Sequence, residues 1–129
     1  MLLEEIKKVC IEYAQKPACQ NELGTLTFSQ LWQRAGRLAG HLRGSQAPVA
    51  VVGGKQPGML VAFLACLMGQ RAYVPIDSSF PGSRVLQYVE LTRADMVIAF
   101  EPVEDCPVPV MDGAALDCVC SDDGLEECC

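Results

Sequence analysis

Basic residues run out well before the chain does. Residues 101–129 hold nine acidic side chains and no lysine or arginine, whereas residues 1–100 hold 10 basic and 7 acidic ones. The net charge of −6 therefore divides into +3 for the first hundred residues and −9 for the rest. An acidic segment repels phosphate backbones and a near-neutral body has no basic stripe, which argues against a nucleic-acid partner. Histidine occurs once, at His41, and no G-x-x-x-x-G-K-[ST] phosphate loop is present. Apolar runs are short as well. The longest, around Met59 to Met68, falls well below the ~20 residues that span a bilayer, so no membrane partner is expected.

Met1 is followed by Leu2-Leu3-Glu4-Glu5, which lacks the basic region and cleavage pattern of a secretory signal. The expectation is a cytoplasmic protein whose eight cysteines are reduced. Cys10 and Cys66 sit on helical patterns and read as small core residues. Cys118, Cys120, Cys128 and Cys129 cluster in an ill-ordered tail, but C-x-C followed by adjacent cysteines is a poor zinc chelator, so no metal site is expected.

At 129 residues and 50% hydrophobic content the chain can bury one ordinary core. Leu3, Ile6, Val9/Cys10 and Tyr13 recur at helical spacing, and Pro17 limits that helix. Asn21-Glu22-Leu23-Gly24 reads as a turn between two short strands. Thr27 then caps a helix, with Gln30 placed to close a capping box and Leu26 to staple against Leu31. The apolar face of this helix runs through Leu31, Ala35, Leu38, Ala39 and Leu42, leaving Arg34, Arg37 and Arg43 to solvent. Gly44 stops it.

Val49 to Val52 reads as a buried strand entering Gly53-Gly54. A helix from Pro57 to Leu67 follows, facing inward through Leu60, Phe63, Leu64 and Leu67, and Gly69 ends it. Ala72 to Ile76 is a second strand, with regular pairing expected to fail at Pro75. Pro81 opens a helix that buries Val85, Val89 and Thr92, and Met96 to Phe100 is the third strand. This βαβαβ succession predicts an α/β fold of three-layer type, a parallel sheet covered by helices. Beyond Phe100 the pattern degrades, with one short strand at Val108 to Met111 and the last ten residues frayed. The chain thus divides into residues 1–100 and an acidic, cysteine-containing, partly ordered segment, 101–129.

Two stretches resemble core motifs of the amino-acid adenylation enzymes, the AMP-binding family that activates carboxylic acids with ATP. Leu26 to Leu31 is similar to the first motif, a capped helix with an aromatic at Phe28. Leu67 to Asp77 is similar to the second, with Ala72-Tyr73-Val74-Pro75-Ile76-Asp77 intact and the likeness extending through Phe80-Pro81-Gly82-Ser83-Arg84. It departs from the usual form at Met68, Gly69 and Gln70. The compact opening is also similar to the D-alanine carrier-protein ligases. The resemblance implies the amino-terminal subdomain of an adenylate-forming, nonribosomal peptide synthetase-like ligase, with the rest of the enzyme and a carrier protein as partners.

The glycine-rich phosphate loop, the ribose contact and the catalytic lysine implied by that family have no counterpart in this sequence. The expectation is therefore a chain inactive alone, with no catalytic, cofactor or metal residue of its own, ATP and Mg being needed by the parent enzyme. An uncovered apolar interdomain surface makes self-association into a homo-oligomer an expected behaviour. The alternatives are a non-catalytic binding or scaffolding module with the same half-sheet, and an unrelated nucleotide-binding enzyme.

Other chemistry-bearing residues have bland readings. Gly53-Gly54-Lys55 lacks phosphate-loop spacing. Asp77 reads as an exposed turn carboxylate rather than a general base, and His41 as a helix-end residue without a catalytic partner. Tyr73 reads as a packed aromatic with a satisfied hydroxyl, and Arg84 as a surface or interdomain ion-pair partner.

Overall fold

The structure is a computed structural model that describes residues 2–22 and 24–120. Its elements are α1 (Leu2–Glu12), β1 (Pro17–Asn21), β2 (Gly24–Thr27), α2 (Phe28–Leu42), β3 (Val49–Gly53), α3 (Pro57–Met68), β4 (Tyr73–Asp77), α4 (Gly82–Thr92), β5 (Met96–Ala99), β6 (Val110–Asp112) and α5 (Gly113–Cys120). The expected α/β fold is present. β3, β4, β5 and β6 form one parallel sheet in the order β4-β3-β5-β6, while β1 and β2 make a separate antiparallel hairpin.

β3 is central, and all five of its residues are buried. Alternation along the strands sends Val49, Val51 and Ile98 to the face covered by α2, α3 and α5. Ala50, Val52, Val97 and Ala99 face α4, whose Val85 and Val89 close the opposite layer. The α3 and α4 crossovers therefore lie on opposite faces of the sheet, as strand order requires when both have the same hand.

The start of α2 follows the sequence reading closely. The Gln30 amide donates to Thr27 Oγ1 at 3.1 Å and the Thr27 amide donates to Gln30 Oε1 at 2.9 Å, a complete capping box. Leu26 and Leu31 are both buried in the core beneath it.

Five expectations need correction. The buried side chains of α3 are Val61, Ala62, Leu64, Ala65 and Cys66, while Phe63 is 38% exposed. This helix lies between the sheet and α2 and is apolar nearly all round, so periodicity does not single out its inner face.

Pairing does not fail at Pro75, which sits opposite Val51 inside the ladder. The Val49 amide donates to Ala72 O at 2.9 Å and the Ser78 amide to Gly53 O at 3.1 Å. Because backbone groups alternate in direction along a strand, those of Tyr73, Pro75 and Asp77 point away from β3, toward the open edge. The donor missing at Pro75 removes no bond to β3.

Arg34 and Arg37 meet α5 rather than open solvent. Arg34 pairs with Asp117 at 3.5 Å, and Arg37 Nη1 donates to Cys120 O at 2.7 Å, where a helix end leaves carbonyls unpaired.

Residues 113–120 form a helix that the sequence pattern did not indicate, so Cys118 and Cys120 lie on α5 rather than in an ill-ordered tail. The Asp112 carboxylate accepts the Ala115 amide at 2.8 Å and so caps α5, while Leu116 and Cys120, four residues apart, bury against α2. Residues 121–129, including Cys128 and Cys129, lie outside the described residues.

Cys118 is disulfide-bonded, against the expectation of uniformly reduced thiols. Cys10, Cys19, Cys66, Cys106 and Cys120 are free thiols, with Cys10 and Cys66 buried as expected.

Candidate functional site

In an open parallel sheet the crevice forms beyond the carboxyl ends of the strands, where crossovers diverge to opposite faces. Here that point lies between β3 and β5. The chain leaves β3 at Gly53 and leaves β5 at Phe100, whose amide still donates to Val52 O at 2.8 Å.

Gln56, the residue before α3, bridges the two exits. Its Oε1 accepts the Gly54 amide at 2.7 Å, and its Nε2 donates to Glu101 Oε1 at 3.3 Å. The hairpin is fastened to the same loop, with Asn21 Nδ2 donating to Lys55 O at 2.9 Å.

Phe100 sits against three glycines. A Cβ on Gly53, Gly58 or Gly113 would lie 3.1, 2.4 or 3.6 Å from the nearest atom of its ring. Only hydrogen at Gly58 leaves room for the ring to lie over α3. Beside it opens a cavity of about 310 Å³ lined by Gln30, Arg34, Gln56, Phe100, Leu116 and Asp117, among others.

The cavity lining and the strand exits beside it do not fit a magnesium triphosphate. The Gly54 amide is already taken by Gln56, Glu101 is the carboxylate that Gln56 holds, and Arg34 is paired with Asp117. Lys55 is exposed outside the cavity. Among the described residues no group of three His, Cys, Asp or Glu side chains is placed to hold a metal ion.

The other chemistry-bearing residues are dispersed. Asp77 is exposed and accepts the Ser79 amide at 2.9 Å, and these Ser79 hydrogen bonds hold its carboxyl below the usual carboxylate range. His41 is exposed in the last turn of α2. The Tyr73 ring packs edge-to-face on Phe63, with centroids 5.3 Å apart. Burial, and secondarily Cys66, pushes its phenol up. Arg84 is exposed with its guanidinium 5.9 Å from the Phe80 ring centroid, a cation–π contact.

At the opposite end of the strands lies a feature that the sequence reading missed. Arg71 is buried and binds three separate segments: Nη1 donates to Leu42 O at 3.1 Å, Nε donates to Ala47 O at 2.7 Å, and Nη2 pairs with Asp95. Ser45 Oγ donates to the other Asp95 oxygen at 2.5 Å. The Ser45 hydroxyl, followed by Arg71, holds the Asp95 carboxyl below its ordinary range. The planar fork of arginine suits this threefold task, and the available signal was an arginine between a helix stop and a buried strand.

Comparison with known proteins adds kinship to this geometry. A family model described as AMP-binding enzyme matches residues 6–126. The D-alanine–D-alanyl carrier protein ligase of Bacillus licheniformis is 33% identical over 101 residues, covering 75% of this chain and 20% of the ligase. Its counterpart in Bacillus anthracis is 32% identical over 115 residues, covering 85% and 23%.

Among solved structures, VinN in complex with L-aspartate superposes with a TM-score of 0.81 at 13% identity, over 93% of this chain and 34% of that one. Klebsiella oxytoca NpsA in complex with 3-hydroxyanthranilyl-AMSN gives 0.78 at 16% identity, over 95% and 26%. A nonribosomal peptide synthetase in its alpha-methyl-L-serine-AMP bound form gives 0.77 at 25% identity, over 87% and 14%. The chain spans about a fifth of the length of the curated relatives it matches.

Proposed function

Because the chain belongs to the AMP-binding enzyme family, we propose that it is the amino-terminal part of an ATP-dependent amino-acid adenylating ligase. The reaction of such a ligase has two steps. A carboxylate oxygen attacks the α-phosphorus of ATP and expels pyrophosphate, and a carrier-protein thiol then attacks the acyl carbon and expels AMP.

The observation that carries this reading is the 33% identity to a D-alanine–D-alanyl carrier protein ligase over 75% of the chain. On that kinship D-alanine is the first substrate to test, a carrier protein is the acceptor and the cytoplasm is the site of action. Residues 1–100 form the amino-terminal part of the adenylation domain, with 101–129 as an acidic segment docked on it through β6 and α5.

The role of these residues is architectural. Arg71 holds the turns at the amino ends of the strands, and Gln56 holds the exits at the carboxyl ends. Acyl-adenylate formation requires a carboxylate, a triphosphate and a cation fixed together by many donors. Among the described residues the crevice does not offer that donor set, which supports the reading of a chain inactive alone.

Two measurements test the reading. Calorimetry of the 129-residue chain with ATP and magnesium is expected to give no saturable binding. A chimera in which this chain replaces the matching segment of the Bacillus licheniformis ligase is expected to retain D-alanine-dependent pyrophosphate exchange. Tight ATP binding by the chain alone, or a folded chimera without exchange, would overturn the proposal.

A further inference from the structure

Among the described residues, three of the seven exposed large apolar side chains, Val9, Ile11 and Tyr13, fall at the end of α1 and in the turn after it. Scattered singly, such residues are ordinary, but Val9 borders a groove. Glu5, Ile6, Val9 and Cys10 of α1, with Phe28 and Leu31 of α2, enclose about 210 Å³ between the two helices, and the exposed surface of that groove is apolar throughout. We infer that this face of α1 pairs with the same face of a second copy of the chain, the two helices running antiparallel across a two-fold axis. The inference stands independently of the ligase reading.

The order of charges along the face chooses the occupant. Glu5 and Val9 border the groove together, and positions four apart share a helix face, so Tyr13 follows them one turn on. The Tyr13 amide donates to Val9 O at 2.9 Å and the Lys16 amide to Tyr13 O at 2.8 Å, which carries the spiral past the end of α1. The Lys16 ammonium stands 5.2 Å from the Tyr13 ring centroid. From Glu5 to Lys16 the face therefore reads acid, apolar, apolar, base. Neither of the two charges is in an ion pair among the described residues.

Such a face is complementary to itself in one orientation only. Laid antiparallel on its own copy, it sets each Glu5 beside Lys16 of the other copy, with Val9 and Tyr13 closed between the two ion pairs. A parallel arrangement would oppose Glu5 to Glu5 and Lys16 to Lys16. The two-fold axis repeats every contact, so each charge acts twice. One helix face and its groove form a small interface, in the size class of a transient dimer.

Sedimentation velocity of the chain across a roughly hundredfold range of concentration tests the inference, with circular dichroism verifying that each variant folds. The expected result is a monomer–dimer equilibrium that Val9→Glu abolishes. Glu5→Lys and Lys16→Glu should each weaken it by about tenfold or more, since either change meets a like charge twice. Mixing the Glu5→Lys chain with the Lys16→Glu chain should restore the affinity, because each reversed charge then faces its opposite. Ile11 is 67% exposed but, two residues from Val9, lies on the far side of the helix, so Ile11→Glu should leave the dimer unchanged.

A monomer at every concentration, a dimer that survives Val9→Glu, or a dimer lost on Ile11→Glu would overturn the inference. So would a mixture of the two charge-reversed chains that fails to recover.

Discussion

The Phe100 ring occupies the space that a side chain at Gly58 would need: a Cβ there would lie 2.4 Å from Cε1 and 2.5 Å from Cζ. Replacing Gly58 with alanine therefore sets a helix-propensity gain of about 1 kcal/mol against forced displacement of a ring that closes the crevice. Displacement wins. Gly58→Ala is expected to destabilise the fold by roughly 1–3 kcal/mol in urea unfolding. Gly36 is the control, since an added Cβ there meets nothing within 4 Å. Gly36→Ala should stabilise by roughly 0.5–1 kcal/mol.

The contrast between these glycines marks where sequence reading succeeds. Local rules located the Thr27 cap, the three strands β3, β4 and β5, and the hairpin, because each depends on neighbours within a few residues. They missed what depends on distant partners. Arg34 and Arg37 read as solvent-facing because their partner helix, α5, is only eight residues long and begins at a glycine. Asp112 three positions before Ala115 was its cap signal. Arg71 could not be assigned because its acceptors, Leu42, Ala47 and Asp95, come from different turns. The crevice was not assigned from the sequence, because the Phe100 cradle needs Gly53, Gly58 and Gly113 brought together in space.

Thr27→Ala removes the hydroxyl that accepts the Gln30 amide at 3.1 Å. The expected loss is about 1 kcal/mol with the fold retained, measured by equilibrium denaturation. A change near zero would show that the capping box contributes nothing to stability. Gln30→Ala should lose part of the same amount, because the Thr27 amide then returns to solvent.

The five cysteines that are free among the described residues should divide by access. Burial pushes the Cys66 and Cys120 thiols up to about 11, so almost no thiolate exists there at pH 8 in the folded chain. Cys19 and Cys106 are only partly buried. Brief iodoacetamide treatment followed by peptide mass mapping should modify Cys19 and Cys106 first, and Cys66 and Cys120 only after unfolding. Early labelling of Cys120 would mean that α5 detaches from α2.

The Arg71 node predicts a pH dependence with a definite sign. Aspartate titrates near about 3.9 in an unfolded chain, and in the folded chain Ser45 and Arg71 hold Asp95 lower. Asp95 thus contributes stability that is fully present above the unfolded value and is lost as pH falls through the folded one. Asp95→Asn should flatten that part of the acid-side stability curve and leave the neutral region sloped as before. Arg71→Met is the more severe change, since it leaves the Leu42 and Ala47 carbonyls without their buried donor at every pH. Its expected cost is about 3 kcal/mol, read by urea unfolding at pH 7. A loss of that size in Arg71→Met with no change in the acid limb of Asp95→Asn would assign the node's stability to the carbonyl contacts rather than to the ion pair.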